Sequence, residues 1–171
     1  PGIDTLGHIY GPDSRQVMAE IDFFFLHLER LLADLSGLHG RTLLLLTADH
    51  GMAETDPNTT VYLNQTFPKL EGLLQQDRLG RPLRFGGAPR DLFLYVKPEH
   101  QDEAHAMLSS GLTGRAEVVR TSEMIQAGFF GTVSPRLLER LGNLTVLPYR
   151  YESVFWYEKG VFEQKYYGHH G

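Results

Sequence analysis

The clearest hydrophobic pattern lies between residues 14 and 35. Apolar residues recur at Val17, Ile21, Phe24, Leu28, Leu31/Leu32 and Leu35, in alternating steps of three and four, while Asp22, Glu29, Arg30 and Asp34 occupy much of the other face. That period predicts an amphipathic helix with Asp13 or Ser14 as its N-cap and Gly37 and Gly40 as its stop. Thr42-Leu-Leu-Leu-Leu-Thr47 is a short unbroken apolar run. It predicts a strand covered on both faces, hence a central, parallel one. Helix, glycine turn and buried strand together make half of an α/β unit. Ahead of them, Gly2, Gly7, Gly11 and Pro12 crowd residues 1–13, and that density of breakers predicts a loop.

Further along, Asp56-Pro57-Asn58 reads as a turn, residues 61–63 as a short strand and residues 69–76 as a helix begun by Pro68. Residues 79–89 are rich in Gly, Pro and Arg and read as a loop. Residues 91–96 predict a strand, 98–109 a helix and 116–120 another strand, together a small α+β lobe at about residues 90–125. Residues 122–127 and 135–141 predict short helices, and 144–147 and 154–157 strands. The fold class is α/β: a central, mainly parallel sheet flanked by helices, with the small α+β lobe in the middle of the chain.

Composition narrows the classes of function. With 171 residues, 42% hydrophobic and 22% charged, the chain can bury a core and is not disordered. Sixteen Lys and Arg against 21 Asp and Glu leave a net charge of −5, which provides no broad nucleic-acid-binding surface. There is no cysteine, so disulfides, thiolate metal sites and a cysteine nucleophile are excluded, and the composition fits a reducing compartment. The longest apolar run, Leu43 to Leu46, is far short of the ~20 residues that span a bilayer, so this chain has no membrane segment. The opening on Pro-Gly, without Met, leads us to expect a chain cut from something longer.

Three clusters combine Asp or His with glycine where the regular pattern breaks: Asp4-Thr-Leu-Gly7-His8-Ile-Tyr-Gly11-Pro12, Thr47-Ala-Asp49-His50-Gly51-Met52, and Gly168-His169-His170-Gly171. A carboxylate and an imidazole four residues apart can converge on one cation. Asp49 and His50 follow the expected buried strand, and the C-terminal edge of a parallel sheet is where sites are built. Asp49 alone also fits a turn or helix cap, and a terminal His pair also fits a purification remnant or an adventitious metal binder. His27, His39, His100 and His105 have no such carboxylate-glycine context and receive no role. Oxygen and nitrogen donors without sulfur suit Zn²⁺ or Mn²⁺. Two ions ~4 Å apart would suit phosphoryl chemistry.

Taken together, Asp4-x-x-Gly7-His8-x-x-Gly11-Pro12, Asp49-His50-Gly51-Met52 and Gly168-x-His170-Gly171 resemble, in the same order, motifs of the type I phosphodiesterase/nucleotide pyrophosphatase family of the alkaline phosphatase superfamily. The resemblance implies part of an alkaline-phosphatase-like fold and a two-metal site, most naturally zinc. Asp4, His8 and His170 would hold one ion, and Asp49 and His50 would belong to the second. His170 is preferred over His169 because Gly171 follows it. The family's Thr or Ser nucleophile and a further Asp ligand precede the first motif, so the resemblance makes residues 1–171 the C-terminal part of one catalytic domain, without its nucleophile. It implies hydrolysis of a phosphodiester or pyrophosphate bond in a phosphate-ester small molecule such as a nucleotide, with the fragment inactive alone. Phosphomonoesterases, phosphomutases and sulfatases of the same superfamily are the alternatives. A non-catalytic metal-binding module is the alternative from another class. A sheet edge meant for the missing half would also favour a homodimer.

Overall fold

The computed structural model describes residues 2–35 and 42–170. They fall into two compact units, one running to Glu54 and rejoined by residues 166–170, the other comprising residues 55–165.

The first unit carries a helix where glycines predicted a loop. Helix α1 spans Ile3–Tyr10 and contains Gly7, which is buried. Asp4 in its first turn complements the helix dipole. Gly11, at φ 87°, ends it by donating its N–H to the Gly7 carbonyl at 2.9 Å. Glycine lowers helix propensity by only ~1 kcal/mol, and here a close tertiary contact outweighs that. Helix α2, Arg15–Asp34, is the helix the period foretold, with Ser14 as N-cap accepting the Val17 N–H at 3.3 Å. Replacing Ser14 by Ala is expected to cost ~1 kcal/mol in a denaturant titration, with no change in metal binding. The expected stops, Gly37 and Gly40, lie outside the described residues.

The apolar run at 42–47 departs from expectation. It makes no strand among the described residues, and its leucines face solvent: Leu43 is 81% exposed, Leu44 49%, Leu45 80% and Leu46 57%. A strand requires a neighbour to complete its backbone hydrogen bonds, and two-sided apolarity can announce the need for one without supplying it. The faces of α2 carry the same signature, with Phe23, Phe24, Phe25, Leu31 and Leu32 exposed and Val17 buried. The unit closes with a two-residue antiparallel ladder between β1 (Ala53–Glu54) and β8 (Gly168–His169).

The second unit holds the main core. Strands β2 (Val61–Tyr62) and β7 (Val154–Phe155) pair in parallel, while β3 (Gly86–Ala88), β4 (Asp91–Leu94), β5 (Ala116–Arg120) and β6 (Leu144–Pro148) form an antiparallel sheet in the order β3-β4-β6-β5. Parallel pairing of named strands is therefore confined to β2 and β7 among the described residues. The central α+β region is present and more extensive than the strand-helix-strand pattern alone suggested. Helix α5 (Gln101–Gly111) connects β4 to β5, and β6 inserts between them. Leu92 pairs with Val146 and Leu94 with Leu144, and all four are fully buried. Ala104 and Leu108 from α5 and Leu112 at its C-cap complete that cluster. Gly142 and Asn143 make the entry to β6: a side chain at 142 would overlap the Leu94 carbonyl, and the Asn143 amide grips Val96 through both its N–H and its carbonyl.

Short elements account for the other departures. Helices α3 (Leu63–Thr66) and α4 (Leu70–Leu73) share the stretch read as a strand end and one helix, and β3 falls inside the expected 79–89 loop. Helices α6 (Thr121–Gln126) and α7 (Pro135–Leu138) lie close to their predicted positions. No helix of the described residues is long and apolar enough to cross a membrane.

Candidate metal centre

Four side chains of the first unit converge. Helix α1 places Asp4 and His8 one turn apart on the same face. His170 follows β8, and His50 lies in the segment leading into β1. Asp4 Oδ1 is the hub, 3.1 Å from His170 Nε2, 3.5 Å from His8 Nε2 and 3.7 Å from His50 Nε2. His8 Nε2 and His170 Nε2 are 3.1 Å apart, and the His50 and His170 rings stack with centroids 3.7 Å apart. Ligand atoms of Asp4, His50 and His170 all lie within 4.8 Å of one another, the single such group among the described residues.

Proton bookkeeping tests whether a cation fits. A carbonyl only accepts, so His8 must donate its Nδ1–H to the Gly168 carbonyl at 2.7 Å, which leaves Nε2 as the nitrogen turned to Asp4 and His170. His50 Nδ1 stands 3.0 Å from the Gly51 carbonyl and is committed in the same way. His170 Nε2 carries at most one proton, and it can go to Asp4 or to His8, not both. Ring nitrogens of three histidines and a carboxylate oxygen therefore face one another, an arrangement that a divalent cation can occupy. Three imidazoles and a carboxylate are a donor set suited to Zn²⁺ or Mn²⁺. Backbone carbonyls on the far ring nitrogens hold His8 and His50 in the orientation metal-binding histidines need.

The Asp4 carboxyl is held below the usual carboxylate range, chiefly by the hydrogen bond from His170. Partial burial opposes the shift, and the charges of His8, His170 and His50 reinforce it. Asp4 is thus ionised at neutral pH. A depressed carboxylate pKa means that its contribution to the folded state is present above the unfolded value and fades as pH falls through the folded one.

The five residues singled out from sequence occupy this one region. Asp4, His8 and His170 come together, and His50, expected in a second metal set, stands with them. Asp49 reaches the group only through His50, at 3.7 Å, with its side chain 91% exposed. His169 turns to a different environment, with its ring 5.7 Å from that of His8 and 6.1 Å from that of Tyr166. A cleft of about 390 Å³ opens beside the cluster, lined by Ile3, Pro12, Val17 and Met52 together with Asp4 and His50. Sequence reasoning missed Met52 as a packing partner and the Gly168 carbonyl as the acceptor for His8. Their only sequence signal was the glycine beside each motif histidine.

Helices and mixed parallel and antiparallel sheets of this kind are consistent with an alkaline-phosphatase-like α/β fold. A family model described as type I phosphodiesterase / nucleotide pyrophosphatase matches residues 1–171. The chain belongs to that family. Its fold is similar to murine ectonucleotide pyrophosphatase / phosphodiesterase 5, with TM-score 0.66 and 18% identity over 98% of this chain and 40% of that one. The human protein of the same description gives TM-score 0.67 at 17% identity, again over 98% of this chain and 40% of the other. Phosphonoacetate hydrolase from Sinorhizobium meliloti 1021 gives 0.58 at 18% identity, over 98% and 41%. In sequence, the venom phosphodiesterase of Macrovipera lebetinus is 29% identical over 94 residues, 54% of this chain and 11% of that protein. The chain therefore spans about two-fifths of the solved relatives and about a tenth of the venom enzyme.

Proposed function

We propose that this chain is the C-terminal part of the catalytic domain of a metal-dependent hydrolase acting on phosphodiester or pyrophosphate bonds. The observation that carries the reading is the grouping of Asp4, His50 and His170, with His8 Nε2 beside Asp4 and His170, in a chain that belongs to a phosphodiesterase family. A bound divalent ion would supply Lewis-acid stabilisation of charge on phosphoryl oxygens. Asp4 would offset the ion's charge, while His8 and His50 present Nε2 because their Nδ1 protons are committed to carbonyls. Asp49, whose exposed side chain can swing inward, would join His50 at a second ion. Zinc is the metal the nitrogen-rich donor set favours. The nucleophile, a Thr or Ser, and the remaining ligand would come from polypeptide ahead of Pro1.

The exposed leucines of 42–46 and the aromatic faces of α2 support that division, since polypeptide ahead of Pro1 would give them a neighbouring strand and cover. A second copy of the chain is the competing cover. The catalytic test is turnover by the longer protein of a phosphodiester, a phosphomonoester and a sulfate ester, each with a nitrophenol leaving group. Diester turnover should dominate and should vanish with a chelator, whereas dominant monoester or sulfate turnover would refute the assignment. Residues 1–171 alone should bind metal and turn over none of the three.

A further inference from the structure

Gly7 lies inside α1, one position before His8, where glycine is a poorer helix former than alanine. Contact explains it. A Cβ at Gly7 would overlap Met52 Sδ and lie 3.2 Å from Met52 Cε. Gly168 in β8 is more constrained: a Cβ there would overlap the Gly7 carbonyl oxygen and lie 2.7 Å from Met52 Sδ. Both glycines are buried, so α1 and β8 meet backbone to backbone with the Met52 thioether against the contact.

That contact reaches the chemistry directly. The Gly168 carbonyl accepts the His8 Nδ1–H at 2.7 Å, and the Tyr167 N–H donates to the His8 carbonyl at 2.9 Å. Strand β8 is itself held to β1, immediately after Met52, through the pairs Ala53↔His169 and Glu54↔Gly168. Two residues beyond Gly168, His170 Nε2 stands 3.1 Å from His8 Nε2.

We propose that Gly7, Gly168 and Met52 form a backbone clasp that holds His8 in its Nδ1–H tautomer and sets its distance to His170, with Gly168 as the principal positioning residue. An imidazole that donates from Nδ1 has only Nε2 left to offer a cation, so the clasp chooses the ligating atom before any ion arrives. The inference rests on the metal-centre reading for its effect on affinity, and on the hydrogen bond alone for its effect on the tautomer.

The two glycines differ in what a methyl group would meet. The thioether of Met52 is the end of a flexible side chain and can swing away from a methyl group at position 7, so Gly7→Ala is the milder change. The Gly7 carbonyl is backbone, so Gly168→Ala must push β8 off α1, taking with it both the acceptor for His8 and His170.

Nitrogen-15 NMR of the histidine rings in the metal-free 171-residue chain, paired with calorimetric Zn²⁺ titration, tests this. The wild-type chain should show His8 protonated at Nδ1. Gly168→Ala should give a mixed tautomer and lose roughly ten- to a hundredfold in Zn²⁺ affinity, the range of outer-shell ligand changes, with unchanged circular dichroism. Gly7→Ala should lose less, and adding Met52→Ala should restore its tautomer but not that of Gly168→Ala. A wild-type His8 protonated at Nε2 would overturn the clasp even if Gly168→Ala failed to fold. So would a folded Gly168→Ala variant with wild-type tautomer and affinity. A wild-type chain with the Nδ1–H tautomer and no Zn²⁺ binding would overturn the metal-centre reading and leave the tautomer arm supported.

Discussion

Replacing Asp4 by Ala is expected to lower Zn²⁺ affinity by at least about a hundredfold, beyond the usual effect of removing an outer-shell partner. Asp4 Oδ1 lies within 3.7 Å of all three imidazoles of the cluster. It is also the only carboxylate among them, so under the proposed function the variant would lose a ligand and the negative charge that would balance a divalent ion. The fold should survive, because the side chain is half exposed and contributes to α1 mainly through the helix dipole, worth ~0.3–1 kcal/mol. Asp49→Ala is the informative comparison. With its side chain in solvent and a single 3.7 Å approach to His50, it should weaken metal binding much less in this chain. Calorimetric titration of both variants checks the ordering. Equal affinities for Asp4→Ala and wild type, or a larger loss for Asp49→Ala, would remove Asp4 from the centre.

The second large effect belongs to the core of residues 55–165. Leu144→Ala should destabilise the protein by ~2–5 kcal/mol, seen as a lower denaturant midpoint. Leu144 is fully buried and opens β6, the strand hydrogen-bonded on both sides by β4 and β5. It faces Leu94 across one ladder and Arg120 across the other, where neighbouring backbone is least able to collapse into a vacated volume. Phe129→Ala, at a position 72% exposed, should change the midpoint very little. A Leu144→Ala midpoint within error of wild type would mean that β6 is not the centre of this core.

Much of the fold was legible because it rests on local periods. The three- and four-residue spacing produced α2, the alternation at Leu92 and Leu94 produced β4, and the strand-helix-strand order around α5 announced the α+β region. The failures share a cause. Helix α1 was hidden because Gly7 reads as a breaker until its contact with Met52 is known. Residues 42–47 read as a buried strand because the side chains of a strand are local while its partner is not. The insertion of β6 between β4 and β5 joins residues some fifty positions apart, which no window of sequence contains. The candidate metal centre divided in the same way. Three short motifs contained the residues that cluster, but their grouping came from long-range contact.

What the sequence determined by itself was therefore the chemistry on offer: carboxylates, imidazoles, the glycines beside them, no thiol, and the helical and extended periods that carry them. Only the tertiary structure decided which donors meet and which atom each presents. His8 acquires its orientation from a carbonyl 160 residues away, at Gly168. His50 comes to stand 3.7 Å from both Asp4 and Asp49. The physical reason is that side-chain identity and backbone period are properties of a few neighbouring residues. A ligand set and a tautomer depend on distances of about 3 Å between groups at opposite ends of the chain, which only packing of the backbone can set.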